Sequence, residues 1–277
     1  MSDVRVTRRA ERRPAAGRAL RLAARLSARL IDRLTAGLAA AAALCLVGGA
    51  PARAADVAAL LKTADSYRLA AGQAEVQTRI RLLKNGELDK ERLYKVLLKP
   101  ERRSLVISES PVEHGQKVLM LDDDFWIILP SSQRPVRITP AQKLLGEASA
   151  GDIASMTWSG DYDGAVVGEV QHDGRACLQL ELASQHKGTT YRRIVLFLAS
   201  PGGEPVAADL YLASDKLAKE ARFEMGELRG RRQVVAMRLI DKIQANRVTE
   251  VHYLDQHARP VADEVFNPMY LTHNEIK

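Results

Sequence analysis

Six histidines, two cysteines and a run of three aspartates are the obvious candidates for metal binding or nucleophilic chemistry in this 277-residue chain. His114, His172, His186, His252, His257 and His273 never take the i,i+4 spacing of a zinc helix, and no carboxylate motif accompanies them. Those in or near turns or the tail read as solvated surface. Asp122, Asp123 and Asp124 could be imagined around a cation, but acidic residues between two apolar strands are better read as turn formers. The stretch Asp161-Tyr162-Asp163-Gly164 is too short for a calcium loop, whose glycine comes at the sixth position. Cys177 shares a strand face with Gln179 and Glu181, away from Leu178, Leu180 and Leu182. Without a histidine or lysine close by in sequence, it reads as an inert thiol. No serine occupies a nucleophile elbow, and no glycine-rich loop could cradle a phosphate. The expectation is a protein with no catalytic residue, no metal and no cofactor, and so not an enzyme.

The elements that would carry these residues are mostly strands. Residues 56–70 (DVAALLKTADSYRLA) have the spacing of a short helix, with Val57, Leu60, Leu61, Ala64 and Tyr67 on one face. Val76, Thr78, Ile80 and Leu82 then alternate with Glu75, Gln77, Arg79 and Arg81, the period-two signature of a sheet wet on one side. Asn85-Gly86 marks a tight hairpin, and further strands follow at hairpin spacing: 92–98, 104–108, 116–121, 125–129 and 134–138. Residues 140–158 (PAQKLLGEASAGDIASMTW) break the pattern and predict two short helical pieces. Strands resume over 165–170 and 176–182, around the turn at Asp173-Gly174, then over 191–198, 206–212, 218–225, 231–240 and 247–254. Sequential strands with tight turns pair antiparallel, and about eleven of them in one sheet must curl strongly.

The formal charge of +7 is misleading about partners. Residues 1–54 hold eleven arginines against Asp3, Glu11 and Asp32, a local +8, which leaves −1 on residues 55–277. A basic footprint for phosphate backbones is therefore missing from the part expected to fold, which excludes nucleic acid as a partner. The arginine-rich start leads into an uncharged run, residues 35–50, and then Ala52-Arg53-Ala54. That order reads as a signal peptide with a long n-region, cleaved between Ala54 and Ala55. The expected organisation is residues 1–54 as signal peptide and 55–277 as a single β domain, exported and monomeric. Only Cys177 lies after residue 55, so the domain must hold together by its core, as about 220 residues can.

What remains is apolar surface. Met120, Trp126, Met156, Trp158, Phe197, Phe223, Met225 and Met237 are large, flexible or aromatic residues at positions expected to face inward, with Ile80, Leu82 and Ile128 beside them. A strongly curved sheet has more concave apolar face than one short helix and one helical loop can fill. Either a cavity remains or the loop collapses into it, and methionines suit a cavity whose occupant varies.

Residues 115–121 (GQKVLML), 122–130 (DDDFWIILP), Arg137-Ile138, Gly151-Asp152, Asp161-Tyr162, 177–182 (CLQLEL) and 216–223 (KLAKEARF) resemble, in order and spacing, the outer-membrane lipoprotein-sorting family, which is LolA-like. The resemblance runs from about Leu60 to Tyr253. It implies a half β-barrel over a helical lid, for which 140–158 is the candidate, in the periplasm. It also implies an apolar cavity for the acyl chains of a lipoprotein or lipid in transport to the outer membrane. The eleven apolar residues named above, Ile80 to Met237, are then the cavity candidates. Hiding such a chain is physically necessary: at about 0.8 kcal/mol per methylene, a sixteen-carbon chain costs ~12 kcal/mol in water. The alternative is a periplasmic adaptor of an inner-membrane transporter that carries no lipid, with a filled cavity.

Overall fold

The computed structural model describes residues 54–69, 72–132, 134–242 and 246–276. The expected signal peptide, residues 1–54, lies outside them except for Ala54. The described residues from Ala54 onward form one compact unit.

The chain opens with helix α1 (Ala54–Ser66) and runs through strands β1 (Ala74–Lys84), β2 (Glu87–Lys99), β3 (Arg103–Ser108), β4 (Lys117–Leu121), β5 (Asp124–Ile128) and β6 (Val136–Ile138). A small hairpin of β7 (Lys143–Leu145) and β8 (Ala148–Ser149) leads into helix α2 (Ala150–Ala154). Then come β9 (Tyr162–His172), β10 (Arg175–Ser184), β11 (Arg193–Ala199), β12 (Pro205–Tyr211), β13 (Leu217–Leu228), β14 (Arg231–Asp241), β15 (Arg247–Ala258) and helix α3 (Pro268–His273). Among the described residues, thirteen strands form one antiparallel sheet in the order β6-β5-β4-β3-β2-β1-β15-β14-β13-β12-β11-β10-β9. The sheet is curved and not closed into a barrel, as the fold expectation required; it has two strands more than the eleven expected.

Topology decides where the covering segment goes. Strands β1 to β6 wind outward to one edge, and β9 to β15 wind back from the other edge until β15 pairs with β1. The chain must therefore cross from edge strand β6 to edge strand β9. Residues 139–161 make that crossing, over the concave face. Expected turns are present: Asn85-Gly86 and Asp173-Gly174 all have positive φ, the requirement of a two-residue turn that follows strand twist. Strand β1 alternates in burial over its length, with Val76, Thr78, Ile80 and Leu82 inside.

Two expectations are corrected. Residues 140–158 were expected to be helical in two pieces, but the first piece is the β7–β8 hairpin and only Ala150–Ala154 is helical. Gly146 turns the hairpin at φ 56° against the sheet, where an added Cβ would meet Thr249 Oγ1. There the Glu147 amide donates to the Thr249 hydroxyl at 2.8 Å, a partner offered only by contact with the sheet. The second correction is one of strand parity. Trp126, Ile128 and Phe197 were placed inside, yet all three face outward. Because Leu121 pairs with Asp124, Met120 stands opposite Phe125 and Leu119 opposite Trp126. Phe125 and Ile127 therefore join the inner cluster. Trp126 and Ile128 pack outside with Leu97, Leu105, Ile107 and Leu119. In β11 the inner row is Ile194, Leu196 and Leu198, and Phe197 packs outside against Cys177, Val195, Val206 and Ala207.

The outer face of β2 to β5 is itself covered. The C-terminal residues Val261, Val265, Phe266 and Leu271 are buried on it. Asn267 caps α3 by accepting from the Met269 and Tyr270 amides, and Lys117 Nζ donates to the Leu271 carbonyl at 3.2 Å.

Candidate functional site

The concave face is the candidate site. Ile80, Leu82, Met120, Met156, Trp158 and Met237 are buried in its cluster, with Phe223 and Met225 partly buried against it. Eight of the eleven expected cavity residues are thus brought together. Opposite them, α1 buries Val57, Leu61 and Ala64. The 139–161 crossing buries Leu145, Ala148, Ile153, Met156 and Trp158.

Most of the apolar face is filled by these covers. A cavity of about 50 Å³ remains, lined by Arg68, Trp158, Phe223, Met237, Ile194 and Tyr191 among others. That is room for one or two waters. It shares Arg102, Met120, Ser155, Thr157 and Asp161 with a cleft of about 400 Å³ at the end of the sheet. Leu69, Leu98, Pro100 and Met156 supply the apolar wall of this cleft, whose volume is within the range of ordinary ligand sites.

The crossing is held by three carboxylates. Asp65, at the end of α1, accepts from the Trp158 amide at 2.7 Å and the Ser159 amide at 2.8 Å. Asp152 sits in a capping box with Ser149 and accepts from Lys219 Nζ at 2.8 Å and from the Tyr191 hydroxyl at 2.7 Å. Asp161 pairs with Arg102 and accepts from the Ser155 hydroxyl at 3.0 Å. Burial pushes the Asp65 carboxyl above its ordinary value despite its two amide donors. Burial would raise Asp152 too, but Lys219 and the hydrogen bonds hold it below the ordinary value. Burial and the neighbouring Asp152 carboxylate push Tyr191 well up.

Arg68 is the residue the sequence reading missed. It is 6 % exposed, with its guanidinium carbon 4.2 Å from the Trp158 ring centre and 5.8 Å from that of Phe223. The two rings meet edge to face at 5.6 Å. The signal was available: Val57, Leu61, Ala64 and Arg68 follow helical spacing, so the apolar stripe of α1 leads to the arginine.

The remaining chemistry-bearing groups are placed away from the cavity or already engaged. Cys177 is fully buried on the outer face, and burial raises its thiol. Asp122, Asp123 and His186 converge, yet Asp123 already accepts from the Gly188 amide at 2.9 Å and from Arg102 at 3.3 Å. A guanidinium thus supplies the positive charge there. Each of the six histidines is at least partly exposed.

Comparison with known proteins agrees with this architecture. A family model described as "Uncharacterized protein" matches residues 100–273. No curated protein matches the chain. Among solved structures, a LolA superfamily protein from Nitrosomonas europaea is 27% identical, with a TM-score of 0.70, over 76% of this chain and 97% of that one. A DUF1329 family protein from Desulfovibrio piger shares the fold at 22% identity and a TM-score of 0.64, over 79% of this chain and 97% of that one. So does an outer membrane lipoprotein-sorting domain from Vibrio parahaemolyticus, at 20% identity and a TM-score of 0.63, over 80% of this chain and 100% of that one. With the matched residues spanning most of the open sheet, its lid crossing and its outer cover, the chain belongs to the family of that model, which is LolA-like.

Proposed function

We propose that the protein is a periplasmic carrier, freed of its first 54 residues on export, that takes acyl chains of a lipoprotein or lipid against the concave face and delivers them to another membrane. The observation that carries this reading is the way the apolar face is covered. Its cover is one helix and one crossing segment, fastened through Asp65, Asp152 and Asp161 rather than through sheet pairing. A cover of that kind can leave without unravelling a strand, exposing Met120, Phe223 and Met237 to the cargo. Acyl methylenes would then take the place of the cover's side chains and keep the face dry.

One observation favours a second reading. The space left under the cover is about 50 Å³, which suits an adaptor of an inner-membrane transporter with a filled interior. A fluorescent acyl chain titrated into the purified protein, followed by transfer to acceptor vesicles, separates the two. The carrier reading expects saturable uptake near one chain set per protein, with transfer to the vesicles. Absence of uptake would leave the adaptor.

A further inference from the structure

Charges around the inner cavity are balanced except at one place. Asp152 is matched by Lys219 and Asp161 by Arg102. Arg68 also lines this cavity but has no such match. Its Nε has no hydrogen-bond partner, and among the described residues it forms no ion pair with a carboxylate. Asp65 acts on it at longer range, with both carboxylate oxygens already taken by the Trp158 and Ser159 amides. The Tyr253 hydroxyl is a neutral hydrogen-bond partner of the guanidinium. The guanidinium is otherwise stacked on Trp158 and Phe223, which leaves its in-plane donors without an anion.

An unmatched guanidinium is expensive to bury, and its planar fork suits carboxylate or phosphate oxygens. The surroundings are graded in the same sense. The inner cavity, at about 50 Å³, places open space beside the guanidinium. The adjoining cleft, at about 400 Å³, has an apolar wall of Leu69, Leu98, Pro100 and Met156, with Lys99, Glu101 and Arg103 at its side. We infer that Arg68 is the receptor for an anionic oxygen group, carboxylate or phosphate, at the head of the acyl cargo. This rests on the carrier reading and narrows its cargo to anionic amphiphiles.

The test compares ligands of one chain length on the exported protein at pH 7.5: palmitate, palmitoyl lysophosphatidate and neutral monopalmitoyl glycerol, by displacement of a fluorescent acyl probe. The expected result is a preference of about tenfold or more for an anionic ligand over the neutral one, the value of one charge-assisted hydrogen-bonded contact. Palmitate and lysophosphatidate serve as separate arms that tell a carboxylate source from a phosphate source. Arg68→Gln should bring the anionic and neutral ligands together, while Arg68→Lys keeps part of the preference. Equal binding of anionic and neutral ligands by the unaltered protein would overturn the inference and leave the carrier reading intact. A preference that survives in Arg68→Gln would overturn it too. Failure of all three ligands to displace the probe would remove the carrier reading and this inference together.

Discussion

Asp152 Oδ2 and Lys219 Nζ meet at 2.8 Å, with the residues only 8 % and 5 % exposed. One belongs to the two-turn-or-less helix of the crossing segment and the other to β13, so the contact ties the lid to the sheet wall. The same lysine reaches the Glu147 carbonyl, and the same aspartate receives the Tyr191 hydroxyl. A buried pair of this kind adds little over an apolar pair of the same shape, but losing one partner is severe.

Asp152→Asn should therefore destabilise the protein by about 3–5 kcal/mol at pH 7, because Lys219 is left charged and buried. The pH dependence has a definite sign. The folded carboxyl is held below its ordinary value of 3.8, so its stabilisation is complete above that value and is lost as the pH falls through the lower, folded-state value. Urea unfolding of both proteins at pH 7 and in acid reads this directly. The gap should be full at pH 7 and shrink below the ordinary value; an unchanged gap in acid contradicts the assignment.

Strand parity makes a second prediction. Phe223 packs inside and Trp126 outside. Phe223→Glu should abolish acyl uptake in a protein that still folds. Trp126→Glu should keep uptake and cost about 1–3 kcal/mol in stability. Circular dichroism and probe binding on the two variants decide it, and the reverse pattern would mean that the outer face holds the cargo.

The lid can also be loosened sterically. A Cβ on Gly151 would clash with the Thr190 hydroxyl and lie 3.2 Å from Thr190 Cβ and 3.3 Å from Pro140 Cβ, so Gly151→Ala should turn the Thr190 side chain, ease α2 off its seat and cost about 1–3 kcal/mol. Hydrogen exchange should quicken over 145–158 while β1 and β15 stay protected. Unaltered exchange in the lid would show that α2 is not seated as described.

The C-terminal cover should matter to stability rather than to cargo. Phe266 and Leu271 are 4 % and 1 % exposed over the outer row of Leu97, Leu105 and Leu119. Phe266→Ala should cost about 3–5 kcal/mol and Leu271→Ala about 2–5 kcal/mol, with acyl affinity kept in the folded fraction. Loss of affinity in fully folded protein would link the outer face to binding.

Much of this architecture is legible in the residues themselves. Val76 to Leu82 alternate cleanly because one face of β1 is wet, and Asn85-Gly86 and Asp173-Gly174 announce their hairpins. Parity becomes unreadable where both faces are apolar, as with Phe125 beside Trp126 or Leu196 beside Phe197. There only the pairing of Leu121 with Asp124 and of Leu196 with Leu180 picks the inner row. The C-terminal cover escaped notice because Val261, Val265, Phe266 and Leu271 have no regular period and gain meaning only against the outer leucines. The β7–β8 hairpin was hidden for a similar reason, since its buried amide is satisfied by Thr249, about a hundred residues away. Arg68 could have been found from the stripe of α1, but its lack of a charge partner is a property of the folded cavity.

The most direct measurement is mass spectrometry of the organic extract of the exported protein, purified without detergent beside an unrelated exported protein of similar size. The carrier account predicts a near-stoichiometric lipid that is absent from the control and lost in Phe223→Glu. A stable protein with no lipid in its extract, which also takes up none when lipid is added, would contradict it.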